Sequence, residues 1–172
     1  MYTLEFNDSE LTGLLDGLGR GLEDLSPLMQ EIGEYMVRTT KQRFVEGTTP
    51  EGVPWAPKAL STIDAYTKRR DRADPRPMFG PSGVLSSGIS YVAGRDSVEW
   101  GSSRIYAAVM QFGADQGEFG AFMGKDKLGR DHFHHIPWGD IPARPFLGVS
   151  DSDREGILAI VAEYIEDLSQ GR

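Results

Sequence analysis

Residues Gly88 to Gly113, GISYVAGRDSVEWGSSRIYAAVMQFG, change hydrophobic period halfway along, and that change constrains the fold more than any other feature. Ile89, Tyr91 and Ala93, then Val98 and Trp100, fall at every second position on either side of Gly94-Arg95-Asp96. A period of two predicts a β-hairpin that buries one face and turns at that glycine. Beyond Gly101-Ser102-Ser103 the spacing changes to three or four, with Ile105, Ala108, Val109 and Phe112, and Gly113 follows. This predicts a short helix capped by Ser102 or Ser103 and closed by the glycine. Further on, Ile141 to Gly148 reads IPARPFLG. Each proline drives the residue before it into an extended conformation, so Phe146 and Leu147 are expected on a stiff segment that pairs with the hairpin.

The remaining elements are read against this unit. Tyr2–Phe6 alternates and is expected as an edge strand. Leu11, Leu14, Leu15, Leu18, Leu22 and Leu25 recur at helical spacing, but Gly13, Gly17, Gly19 and Gly21 weaken that helix, which must therefore depend on packing. Ser26-Pro27 starts a longer helix. Its apolar side carries Leu28 or Met29, Ile32, Tyr35 or Met36, and Phe44, its polar side Glu31, Glu34, Arg38, Lys41 and Arg43; it is expected to lie across the sheet. Ser150 and Ser152 each precede an acid by three positions, the pattern of overlapping capping boxes. A terminal helix follows, with Ile157, Ile160 or Val161, Tyr164 and Leu168 on one stripe.

Two stretches resist such assignment. Residues 48–83 hold six of the chain's 10 prolines and form a long Pro/Gly-rich loop or arm, interrupted by a helix over Ser61 to Arg70. Trp55, between two prolines, fits either a lid over the core or an anchor in a neighbouring subunit. Residues 114–141 are a projecting insertion with exposed aromatics, expected as a contact surface. Loops this long are usually functional or ordered from outside their own fold. The expectation is therefore one α+β domain over residues 1–172: a small antiparallel sheet (Tyr2–Phe6, Gly88–Ala93, Ser97–Trp100, Arg144–Gly148) packed against two or three helices, with two long projecting loops that sister copies help to order.

Chemistry is mostly absent from the sequence. There is no cysteine, so neither a disulfide framework nor thiol catalysis is available. Asp131, His132, His134 and His135 cluster in one loop without the spacing of a zinc-binding helix, and they are read as ordinary histidines: no metal and no cofactor is expected. No nucleophile elbow, phosphate loop or dinucleotide fingerprint occurs, and no catalytic residue is assigned. The N-terminus has no basic-then-apolar leader and no run approaches eighteen apolar residues, which predicts neither a secretion signal nor a membrane span. A net charge of −8 argues against the whole chain being a duplex-DNA binder. Lys68, Arg69, Arg70, Arg72 and Arg76 nonetheless make one basic segment, read as a solvated loop or as a contact with an acidic partner or with DNA.

Three motifs in order carry a family resemblance: Gly52-Val-Pro-Trp55-Ala-Pro57, then Tyr106-Ala107 with Gln111-Phe112-Gly113, then Pro142-Ala-Arg144-Pro145-Phe146-Leu147. Together they resemble the phage virion morphogenesis family, the Mu-like relatives of tail-completion and head-tail joining proteins of long-tailed bacteriophages. The resemblance implies a structural virion protein, not an enzyme. It would act in a ring, commonly of six copies, at the head-tail junction or tail end, and be found in the virion and, during assembly, in the host cytoplasm. Its implied partners are sister copies, the head-tail connector and the tail tube or terminator proteins, with DNA at most passing through the channel and no membrane. Trp55, Tyr106, Gln111, Phe112, Arg144, Pro145 and Phe146 are the expected scaffold or interface positions, with Arg144 expected to pair with a carboxylate. Two alternatives stand beside this: a capsid-assembly factor absent from the finished particle, and a DNA-binding accessory using residues 68–76.

Overall fold

A computed structural model of the chain describes residues 9–71, 74–137 and 139–170. The element order is α1 (Ser9–Glu23), α2 (Ser26–Glu46), α3 (Leu60–Arg69), α4 (Val84–Ser87), β1 (Ile89–Ala93), β2 (Val98–Ser102), α5 (Ala107–Phe112), β3 (Ala121–Lys125), β4 (Asp131–His135) and α6 (Asp151–Ser169). The class is α+β: the described residues hold two separate two-stranded antiparallel sheets, β1–β2 and β3–β4, and six helices. The expected strand Tyr2–Phe6 lies outside the described residues. The chain divides into two compact units: residues 1–38, 91–100 and 151–172 in the first, and 39–90 and 101–150 in the second.

The first unit is built on α2. Asp24 caps the helix, its Oδ1 accepting from both the Ser26 amide and the Ser26 hydroxyl. Leu28, Ile32 and Met36, one apolar stripe, are buried against Val98 and Trp100 from β2 and against Ile157, Ile160, Val161 and Tyr164 from α6. The helix thus lies on the hairpin as its pattern predicts. Gly94 donates to the Ser97 carbonyl at 2.7 Å to close the turn, and the turn is tied to the α1–α2 link: Leu25 N–H donates to the Arg95 carbonyl and the Arg95 guanidinium to the Glu23 carbonyl. Close approach explains two glycines here. A Cβ on Gly21 would lie 2.3 Å from the Leu168 side chain, and one on Gly156 would lie 2.1 Å from the Tyr35 hydroxyl. Helix propensity is given up so that α1 and α6 meet and Tyr35 packs flat on α6.

The second unit has an aromatic core. Phe44 and Phe146 are fully buried with ring centroids 5.3 Å apart, and Trp55 meets Phe44 edge-on at 5.5 Å. Met78, Leu85, Ile89, Ala107 and Ala114 are buried in the same unit. Within the 48–83 arm Trp55 and Met78 are therefore held from within, where the sequence reading had assigned the arm's order to outside contacts. Three expectations are corrected in this unit. The Arg144–Gly148 segment belongs to neither sheet. The short helix begins later than expected, at Ala107, and has no side-chain cap. Ser103 lies between β2 and α5, and Ser102 ends β2, its hydroxyl accepting from the Arg104 amide. Ile105 and Phe112 point outward, 98% and 79% exposed, while Ala107 takes the buried position, because the small residue permits the closer approach. Finally, residues 114–141, read as a projecting loop insertion, contain a paired hairpin, β3–β4.

Candidate functional site

The Pro-Ala-Arg-Pro-Phe-Leu segment gives up its expected place in a sheet for a clamp of side chains. Gln111, on α5, replaces a neighbouring strand: its Oε1 accepts from the Phe146 amide at 2.9 Å and the Leu147 amide at 3.0 Å, and its Nε2 donates to the Leu147 carbonyl at 3.0 Å. From the other side Arg43 donates through Nη1 to the carbonyls of Phe146 and Gly148, at 3.0 and 2.9 Å. Trp55 Nε1 donates to the Pro145 carbonyl at 2.8 Å. Every backbone group that a sheet would have paired in residues 145–148 thus finds a side-chain partner, apart from the Pro145 nitrogen, which has no hydrogen, and the Gly148 amide. Buried backbone groups need such partners.

Among the described residues Arg144 meets carbonyls and not the expected carboxylate. Its guanidinium is buried and donates from Nε to the Ala56 carbonyl at 2.8 Å and from Nη2 to the Pro57 carbonyl at 2.9 Å. The physical reason lies in Pro54-Trp55-Ala56-Pro57: prolines supply acceptors without donors, and the planar fork of an arginine serves two such carbonyls at once. Burial pulls the Arg144 guanidinium below its usual pKa. Arg43 was placed on the polar face of α2 by the sequence reading and is instead buried. The available signal was its spacing, seven residues beyond the buried Met36 and three beyond the buried Thr40.

Gly113 joins the clamp to the β3–β4 arm. It sits at φ +80°, and a Cβ there would lie 2.7 Å from the Ile141 carbonyl oxygen and 2.9 Å from the Ala143 nitrogen. Immediately beyond it Ala114 and Ile141 exchange both backbone hydrogen bonds, at 2.9 and 2.8 Å, pinching the arm at its base. Beside the clamp a cleft of about 710 Å³ is lined by Lys58, Tyr66, Met78, Tyr106, Pro142 and Arg144 among others. Its lysine is held in place: Lys58 Nζ donates to the carbonyls of Asp74 and Phe79 and lies over the Tyr66 ring, and burial lowers its pKa.

A model of the phage virion morphogenesis family matches residues 6–166, a span that contains the clamp, the arm and all three sequence motifs. The chain belongs to that family. Among characterised proteins it is similar to the Mu-like prophage FluMu G protein 2 of Haemophilus influenzae, 27% identical over 169 residues, which is 98% of this chain and 99% of that protein. It is also similar to tail completion protein S of Escherichia phage P2, 26% identical over 160 residues, 92% of this chain and 95% of that one. No solved structure gives a significant match.

In this member of the phage virion morphogenesis family, five of the seven expected scaffold positions, Trp55, Gln111, Arg144, Pro145 and Phe146, converge on the clamp. Tyr106 lines the cleft, and Phe112 faces outward. The basic segment is split. Lys68 and Arg69 end α3 and, with Arg70 at φ 59°, are exposed; Arg72 lies outside the described residues. Arg76 is already engaged, its Nη2 on Asp74 at 2.6 Å and its guanidinium carbon 3.6 Å from the Phe79 ring centre. That hydrogen bond, followed by the Arg76 amide, holds the Asp74 carboxyl well below the usual carboxylate range. The histidines lie on β4 rather than in a loop: His132 and His134 share one face, and His134 stacks on Phe122 with centroids 5.2 Å apart.

Proposed function

We infer that this chain is a tail-completion subunit of a long-tailed bacteriophage, a structural part of the virion that works by binding its neighbours and not by turnover. The observation that carries this reading is the near end-to-end similarity to tail completion protein S of phage P2, within a family matched over residues 6–166. The geometry supports it in kind. The polar chemistry of the clamp is spent on holding backbone: Gln111, Arg43, Arg144 and Trp55 all donate to carbonyls, and Gln111 also accepts from amides. Such groups build a rigid body that presents an arm.

In this reading copies of the chain form a ring, commonly of six, at the tail end or head-tail junction. They contact the connector on one side and the tail tube or terminator on the other, and DNA passes through the channel. A phage carrying a disrupted copy of this coding sequence should accumulate filled heads and separate tails, and the purified protein added to that lysate should restore infectious particles. Peptides of the protein should be found in purified virions. A deficit of heads instead, with no peptide in the particle, would assign the chain to capsid assembly. The exposed Lys68, Arg69 and Arg70 leave a DNA-binding reading open to direct measurement; retention of duplex DNA that weakens steeply with salt would favour it.

A further inference from the structure

Among the described residues two apolar surfaces lack a partner, and they are complementary. The first is the β3–β4 arm. A lone two-stranded hairpin is marginally stable in water, and among the described residues no further strand pairs with either edge of β3–β4. This one also exposes apolar side chains on both faces: Phe122 on one, and on the other Met123 and Phe133, directly opposite each other in the register. All three are more than half exposed. Within the hairpin Lys125 pairs with Asp131 and Arg130 with Asp126, which leaves its net positive charge on Lys127.

The second surface is the outer face of α6. The helix spends Ile157, Ile160, Val161 and Tyr164 on the core of its own unit. Leu158, Ala159, Ala162 and Ile165 form a second apolar stripe at spacings of three and four, and all are exposed. A helix apolar on both sides is ordinarily covered on both. Exposed Glu155, Glu163 and Glu166 border this stripe, and α6 as a whole carries six carboxylates against the single cation Arg154.

We propose that the β3–β4 arm of one copy lies along the outer face of α6 of a second copy, setting Met123 and Phe133 on Leu158, Ala162 and Ile165 with the Lys127 end toward acidic side chains. The occupant is a second copy because this chain supplies both halves of the match: an apolar hairpin face with a net positive charge at its tip, and an apolar stripe bordered by carboxylates. The two surfaces are different patches in different units, so the contact is heterologous and repeats head to tail, which closes into a ring when the rotation allows. The proposal rests on the ring reading given above and specifies its interface.

The cysteine-free sequence makes the test direct. Phe133→Cys and Leu158→Cys, both at exposed positions, are made as separate variants, co-expressed, and treated with a short bismaleimide; circular dichroism matching the parent shows that each folds. A linked dimer should form from the mixture and from neither variant alone, and the double variant should give a ladder of linked species. Adding Ile165→Glu to the Leu158→Cys chain should lower the linked yield at least several-fold. Absence of the mixed dimer, or linkage only between identical variants, in a sample whose native mass is oligomeric overturns this interface and leaves the ring standing. A native mass of one subunit at every concentration overturns both.

Discussion

Gln111 shows how one side chain takes the place of a strand. Two amides and one carbonyl of residues 146 and 147 depend on it. Gln111→Ala should lower stability by about 1–3 kcal/mol, the cost of leaving buried backbone groups unpaired, read as an earlier denaturant midpoint. Gln111→Glu keeps the acceptor and should cost less; equal loss from both would mean that packing, not hydrogen bonding, is the role. A second residue-scale prediction concerns Asp74, whose carboxyl Arg76 holds well below its usual range. Because the folded value is depressed, whatever stability this pair contributes is present above the ordinary carboxylate pKa of about 4 and fades as pH falls toward the folded value. Carbon-detected NMR titration should place the Asp74 midpoint below that of a free aspartate, and Arg76→Ala should return it; an unchanged midpoint in the variant would remove Arg76 as the cause. That Trp55 and Arg144 stand between prolines was legible in the sequence, and prolines leave carbonyls without local donors. The identity of their partners was not, because those partners lie roughly a hundred residues away in the chain and no local pattern encodes them.

At the level of elements, the hairpin β1–β2 and helices α2 and α6 were readable because each buries one stripe, and period follows from burial. The helix α5 was misread for the same reason in reverse: Ile105 and Phe112 make an apolar pattern, but they are exposed, and an outward apolar side chain is indistinguishable in sequence from an inward one. The β3–β4 hairpin escaped because neither face is buried, so its strands carry no alternation to detect. The glycines of α1 were read as weakness; the structure gives Gly21 among them a purpose, and Gly156 of α6 another. Gly156→Ala makes the point quantitative. Propensity alone would stabilise an exposed helix by roughly 0.5–1 kcal/mol, whereas a methyl 2.1 Å from the Tyr35 hydroxyl should instead destabilise by about 1–3 kcal/mol. The sign of the change in thermal midpoint decides between the two.

For the whole molecule, the family was legible from three short motifs in order, and it is now clear why those motifs were the legible part: they are the pieces of one clamp. Gly52 to Pro57 provides the carbonyls and the tryptophan, Gln111 to Gly113 the strand substitute and the tight passage into the arm, and Pro142 to Leu147 the segment that is held. The clamp holds the segment at the base of an arm whose apolar side chains are exposed, and Leu158 and Ile165 on the outer face of α6 are exposed as well. A chain built in this way is expected to complete itself with copies of its own kind. Native mass spectrometry of the purified, unmodified protein at low ionic strength measures this most directly. A closed ring, about six subunit masses with no series of larger open species, is the expected result; a single subunit mass across the whole accessible concentration range would contradict it.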